Sequence, residues 1–410
     1  MTRRQHFVII LILGTLTTIS PFSIDMYLPG FPAIAKDLHT SIAQVQLSLT
    51  AYLVGIAVGQ LIYGPLLDRF GRKLPLYAGL FLYLVASIGC ALTTSIETLI
   101  LMRLLQALGG CVGLVAAQAL VRDLFPISEI AQVMSLLTLV LAVSPMIAPT
   151  VGSYTTVAWG WHSIFLILAV ITVFILVGVH FALPNGKAPD DSLSLRPAAV
   201  LGNFFMVLKQ PQFLTYALVS GTATSASFAY ISGSPDVFIN LYRMSEQQYG
   251  WLFSALAVAL IAPTQMNRFL LKRFTSEQII YVTLLYQCAV GLLMVLGTWA
   301  GWFGQYGLIV MLFLFLCGQG LTGPNSTALS LAPFSRHAGS AAALMGSFRM
   351  AFGAVVSGLV SVLHNHTAIP MVGVMCGCAL SGLVALLIGR RVIQGENHQK
   401  TIGAVSEATL

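Results

Sequence analysis

Runs of about 20 apolar residues recur along the chain between short polar breaks, the length a helix needs to cross bilayer hydrocarbon. Twelve such spans are predicted, at about 7–28, 43–66, 75–94, 98–120, 132–154, 162–183, 213–238, 249–271, 278–298, 303–328, 339–363 and 368–389. The first follows TRRQH and could pass for a secretory signal. It runs longer than a signal's apolar core and ends in Asp25, Tyr27 and Pro29 with no small-x-small cleavage pattern, so it is read as retained. Asp25 is the anomaly in this pattern, a carboxylate where the run calls for hydrocarbon.

Composition agrees with the pattern. The chain is 57% hydrophobic and 8% charged, against about a quarter charged in soluble domains. Its mean hydropathy is +0.88. Basic residues are retained on the cytoplasmic side of a membrane. With the N-terminus inside, Arg3, Arg4, Arg69, Arg72, Lys73, Arg122, Lys187, Arg196, Lys209, Arg268, Lys272, Arg273, Arg336, Arg390, Arg391 and Lys400 are cytoplasmic, against Lys36 and Arg243 outside, so both termini are expected inside. The net charge of +7 is then a topology signal, and no nucleic-acid partner is needed to explain it. The six cysteines fall inside spans without metal-ligand or redox spacing, so no metal, disulfide or haem is implied. No nucleotide-binding loop is present, no cofactor is expected, and energy for any transport must come from a gradient.

The longest polar connection, PNGKAPDDSLSLRPAA, divides the chain into six and six spans. The predicted organisation is a six-helix bundle at 1–183, a cytoplasmic linker at 184–211, a second bundle at 212–390 and a tail at 391–410. An offset of 204 residues lays GPLLDRFGRKLPLY at 64–77 on RFLLKRFTSEQIIY at 268–281 and maps span one onto seven and five onto eleven. Tandem halves related across a membrane-normal axis fit a carrier that rocks between inward-open and outward-open states better than a fixed pore.

The most specific motif is GPLLDRFGRK at 64–73. Gly64 would let span two pack closely, Asp68 and Arg69 cap the turn, Gly71 permits a tight reversal, and Arg72 with Lys73 hold it inside. Its spacing resembles the loop signature between helices two and three of the major facilitator superfamily, and LILMRLLQALGG at 99–110 is similar to that superfamily's helix-four motif. With SIDMYLP, GQLIYGP and HAGSAAAL, the chain resembles the bicyclomycin-resistance (Bcr/CflA) branch of drug:proton antiporters. The resemblance implies an all-α membrane protein of twelve helices in two pseudo-symmetric bundles. It also implies a gating cluster of Asp68 and Arg72 with Asp123, locking the cytoplasmic faces together in the outward-open state. A loop merely anchored by positive charge is the alternative.

In span five, AVSPMIAPTVGS puts Ser144, Ala148 and Gly152 on one small-residue stripe and adds kinks at Pro145 and Pro149. This resembles the superfamily's antiporter motif, with Ser144 and Ser153 where glycines are usual; a packing helix with no bearing on transport direction is the other reading. Arg349, about 16 Å into span eleven, is placed near the midplane, as a functional group or as a structural bond to carbonyls. Asp25 and Arg103 come out at compatible depths, near the outer ends of spans one and four, and can reduce their cost in lipid by facing each other or a shared wet cavity. The resemblance places the coupling acid at Asp25 and the helix-four arginine at Arg103. The rival reading makes Asp25 a helix cap. Asp236 is read as a second acidic contact or as a solvated helix end, and Tyr27, Tyr52, Phe228, Tyr230 and Asn325 as residues that could line a path or simply pack.

The expectation is therefore a proton-coupled multidrug efflux antiporter, not an enzyme, in a bacterial inner membrane. Small apolar or amphipathic drugs, protons and lipid would be its partners, and it would act as a monomer. A proton-linked metabolite transporter is the rival, with a channel or receptor behind it.

Overall fold

The computed structural model describes residues 3–190, 197–334 and 338–408, with side chains described for 4–190, 201–334 and 339–395. Arg196, Arg336, the 191–196 stretch of the linker and His337 of HAGSAAAL lie outside the described residues, and Arg3 and Lys400 outside the described side chains. Among the described residues the α-helices are α1 (Arg3–Asp25), α2 (Phe31–Asp37), α3 (Ile42–Arg69), α4 (Lys73–Leu92), α5 (Ile96–Leu124), α6 (Ile127–Trp159), α7 (His162–Phe181), α8 (Pro197–Leu208), α9 (Pro211–Pro235), α10 (Glu246–Leu270), α11 (Ser276–Trp299), α12 (Gln305–Leu331), α13 (Ala338–Val362) and α14 (Ile369–Ala408).

All but α2 and α8 correspond to the twelve predicted spans. Among the described residues eleven segments are long and apolar enough to cross a membrane, and of the long helices α9 is left out. It is rich in serine, threonine and glycine, and it tolerates them because it is wrapped by α12, α13 and α14 rather than by lipid. Several of its hydroxyls bond back into the helix, Thr222 to the Leu218 carbonyl and Ser227 to the Thr224 carbonyl, while those of Ser220 and Ser232 are buried without a partner. The chain is a multi-pass membrane protein.

The same packing order occurs twice. In the first half α1 packs on α6, α3 on α5, and α4 on α5 and α7; in the second α9 packs on α13, α10 on α12, and α11 on α12 and α14. The halves meet where α3 crosses α13 and α6 crosses α10. Two expectations are revised. The connection between halves is not simply polar, because α8 forms within it and buries Phe204 and Val207 against Ala341, Leu344 and Met345 of α13. The stretch expected as a tail continues α14 as helix to Ala408.

The two ends of the interface differ. At the end that carries Asp25, Gln46 donates to the Ser232 carbonyl, Thr50 to Ser357, and Ser361 to the Ala43 carbonyl. Thr150 pairs with Ser254, which also donates to the Met146 carbonyl. Toward the 64–73 loop α3 still meets the second half, Gln60 against Gly346 and Leu61 against the Phe204, Ala341 and Met345 cluster, while α6 is largely exposed, with only Val133 and Leu137 buried between Ile127 and Val143. The hydrogen bonds just named that cross the seam gather toward the Asp25 end.

Candidate functional site

Three groups of residues and a scattered remainder carry the chemistry, and the structure distributes them differently from the simplest reading of the sequence. The first lies at the loop end. Gly71 adopts φ +77°, a left-handed conformation glycine accepts without a Cβ penalty, and reverses the chain between α3 and α4. The reversal aims Arg72 back over the end of α3. Its Nη1 donates to Asp68 Oδ1 at 2.6 Å, four residues earlier, and its Nε donates to Asp123 Oδ2 at 2.6 Å, at the end of α5. The Lys187 amide donates to the same Asp123 oxygen at 3.0 Å. Burial works against the charge on Arg72, yet its bonds to Asp123 and Asp68 hold its pKa above the ordinary arginine value. These bonds all stay inside the first half, so in this state the cluster joins α3, α4, α5 and the segment after α7 and does not tie the two halves together. Gly64 does not serve close packing here: a Cβ added to it would meet nothing within 4 Å.

The second group surrounds Arg103, which is fully buried. Its guanidinium lies 4.1 Å from the Tyr52 ring centroid, 4.6 Å from Tyr27 and 5.7 Å from Phe165. Nη1 donates to Gln106 Oε1 at 2.6 Å, and Gln106 is itself held by donating to Ser87 at 2.8 Å. Nε and Nη2 have no hydrogen-bond partner, so π faces take the place of a counter-ion. The expected pairing with Asp25 is not made: among the described residues no ion pair joins them. The reason is angular. Tyr27 points at Arg103, and two residues along a helical path turn the side chain by about 200°, which sends Asp25 the other way. Asp25 is 4% exposed and lies within electrostatic reach of Tyr230 on α9 and Tyr249 on α10, both in the second half. Tyr249 bonds Ser234 at 2.8 Å, and the Tyr230 hydroxyl is unpartnered.

The third group is the α6 stripe. Ser144, Ala148, Pro149 and Gly152 are buried, and Pro145 is half-buried. A Cβ on Gly152 would lie 2.1 Å from the Met26 carbonyl oxygen, so the stripe seats the chain directly after Asp25.

The remaining residues do not assemble into one cavity. Tyr27 and Tyr52 belong to the Arg103 cage. Tyr230 stacks on Phe253 with centroids 5.2 Å apart, Phe228 packs on Gly353, and Asn325 donates to Asn267 at 2.8 Å. Asp236 is not a solvated helix end. It opens a π-helical turn, Asp236–Leu241, where Asn240 donates to it at 2.8 Å and His364 Nε2 lies 2.7 Å away, beside a cavity of about 500 Å³ that includes Ser41, Arg243 and His366. Arg349 sits mid-helix in α13, half-buried, with Nε unpartnered.

Gln106, Phe165, Tyr249 and His364 were not anticipated. Gln106 alone had a readable signal, lying three residues from Arg103 on one helix face; the others arrive from distant elements.

The Major Facilitator Superfamily profile matches residues 13–358 of this chain. The chain belongs to the major facilitator superfamily. It is 35% identical over 395 residues to an uncharacterized MFS-type transporter, YdgK of Bacillus subtilis, covering 94% of this chain and 96% of the relative. It is 30% identical over 383 residues to a bicyclomycin resistance protein homologue of Haemophilus influenzae, covering 93% and 96%. That match sets it in the Bcr/CflA-like part of the superfamily, a group of transporters and not enzymes. A bacterial homologue of the human lysosomal transporter Spinster, solved in an inward-facing and unoccupied conformation, shares the major facilitator fold at a TM-score of 0.70 and 15% identity, covering 95% of this chain and 96% of that one.

Proposed function

We propose that this major facilitator is a proton-coupled antiporter that exports small apolar or amphipathic drugs from a bacterial cell by alternating access, working as a monomer in the inner membrane with both termini in the cytoplasm. The observation that carries the reading is the position of Asp25: a buried carboxylate on the first half, at the end where hydrogen bonds join the halves, and within electrostatic reach of phenols of the second. An ionised carboxylate shut away from water and without a cation is costly, whereas a protonated one is a tolerable hydrogen-bond donor. Closure of that end therefore goes with a proton on Asp25, and loss of the proton favours parting of the halves there. A drug entering from the loop end and a proton leaving toward it would then alternate.

Arg103 acts on Asp25 indirectly, by fixing the Tyr27 ring and so the turn that aims the carboxylate. The Arg72 cluster keeps the loop ends of α3, α4 and α5 moving as one body. The basic bias of the loop end supports assigning it to the cytoplasm. The relationship to a bicyclomycin-resistance homologue supports a drug substrate.

The reading is tested in proteoliposomes by following labelled bicyclomycin and a panel of chemically unlike drugs under imposed pH gradients. Accumulation against a drug gradient that reverses sign with the pH gradient, coupled to counterflow of protons, is expected. Flux that ignores the pH gradient, or that runs with protons in the same direction, would refute it.

A further inference from the structure

Arg349 stands 11 residues into α13, about 16 Å along a helix that crosses about 30 Å of hydrocarbon, so it is near mid-depth. Its flanking glycines define the direction it faces. Gly346 abuts Gln60 of α3 and Gly353 abuts Phe228 of α9, and positions 346, 349 and 353 share one helix face. That face looks into the seam between the two halves. The Ser225 hydroxyl donates to the Arg349 backbone carbonyl, which fixes the helix but leaves the side chain unengaged. Among the described residues the guanidinium has no hydrogen bond, ion pair or cation–π contact, and Nε is buried without an acceptor.

This is a different condition from that of Arg103, which is enclosed by three rings and bonded to Gln106. Arg349 is half-buried and uncaged. Among the described side chains none is a counter-charge for it: Asp25, Asp68 and Asp123 close their helices, Asp236 follows α9, and Glu97, Glu129, Glu246 and Glu277 open theirs. A cation at mid-depth, in a face between two moving halves and with no carboxylate at its level, needs an anion from outside the chain.

We propose that Arg349 is a substrate-binding residue that pairs with the carboxylate, or an equivalent oxyanion, of an aromatic substrate, so that the carrier takes amphipathic organic acids in addition to neutral drugs. Phe228 and Phe352 flank the position and supply the apolar surface such a molecule needs. The inference rests on the reading of the seam as the transport path. It separates from that reading because it concerns charge preference and not proton coupling.

The test uses the full-length protein in nanodiscs and two isosteric probes, 2-naphthoate and 2-naphthamide, titrated at neutral pH by calorimetry. A charge-assisted pair predicts that the acid binds at least about tenfold tighter than the amide. Arg349→Gln should reduce the ratio to near one while keeping amide binding, which also shows that the variant is folded, and Arg349→Lys should retain part of the preference. A ratio near one in the parent, or an unchanged ratio in Arg349→Gln, would overturn the proposal. So would displacement of naphthoate by an equal concentration of inorganic phosphate, which would assign the guanidinium to a resident inorganic anion. Bicyclomycin flux is measured in parallel. Proton-driven flux without an acid preference would reject this inference alone, and an acid preference without proton-driven flux would reject antiport alone.

Discussion

Replacing Gly152 with alanine tests how tightly the α6 stripe holds the chain beside Asp25. The new methyl carbon would lie 2.1 Å from the Met26 carbonyl oxygen and 2.7 Å from its carbonyl carbon and Cα, all backbone atoms that cannot rotate aside. Ordinary contact requires α6 and the end of α1 to part by about 1 Å. Overpacking of this kind costs ~1–3 kcal/mol, offset by up to ~1 kcal/mol from the better helix propensity of alanine. Gly64→Ala is the matched control, because nothing lies within 4 Å of its new methyl group and the propensity gain should appear alone. Reversible unfolding in mixed micelles, followed by tryptophan fluorescence, should separate the two variants by about 2 kcal/mol, with Gly152→Ala the weaker. Transport should fall in Gly152→Ala as well, since Met26 adjoins Asp25. Equal stability of the two variants would refute the argument that the stripe is a close backbone seat.

Asp123→Asn should destabilise by ~1.5–3 kcal/mol and Asp68→Asn by less than ~1 kcal/mol, because the Asp123 side chain is 14% exposed and the Asp68 side chain 50%. The same unfolding assay checks this, and a reversed order would contradict it. Arg103→Lys keeps the charge but not the planar group that lies over Tyr52 and Tyr27, so transport should be largely lost with the protein still folded. A lysine variant working at the parental rate would show that charge alone matters there. His364→Ala strips a partner from Asp236 and should cost ~1–3 kcal/mol, with Asp236→Asn in the same background recovering part of the loss. No recovery would mean that His364 acts by packing and not through Asp236.

The parts that were legible in the sequence are those set by local or periodic rules. Apolar run length marked the helices, and the glycine at 71 together with the four-residue spacing of Asp68 and Arg72 marked the turn and half of its ion cluster. The repeat in the chain anticipated a packing order that occurs twice. What was not legible depended on angles and on distant partners. Depth counting placed Asp25 and Arg103 level but could not show that the turn after α1 sends Tyr27 to one side and Asp25 to the other. The cage around Arg103 draws on the turn after α1, on α3 and on α7, and Asp236 meets His364 across 128 residues, so neither leaves a spacing to read. Gly64 shows the converse limit, since a glycine in a familiar motif did not imply a close neighbour in this state.

Asp25 is the proposed carrier of the coupling proton, and Asp25→Asn probes that role because asparagine keeps the size and much of the hydrogen bonding but cannot ionise. Parent and variant are reconstituted side by side, and labelled bicyclomycin is followed in two modes, accumulation driven by a pH gradient and exchange at equal drug concentration without one. The variant should exchange drug but no longer accumulate it. Uphill, pH-driven accumulation by Asp25→Asn at the parental level would contradict that role.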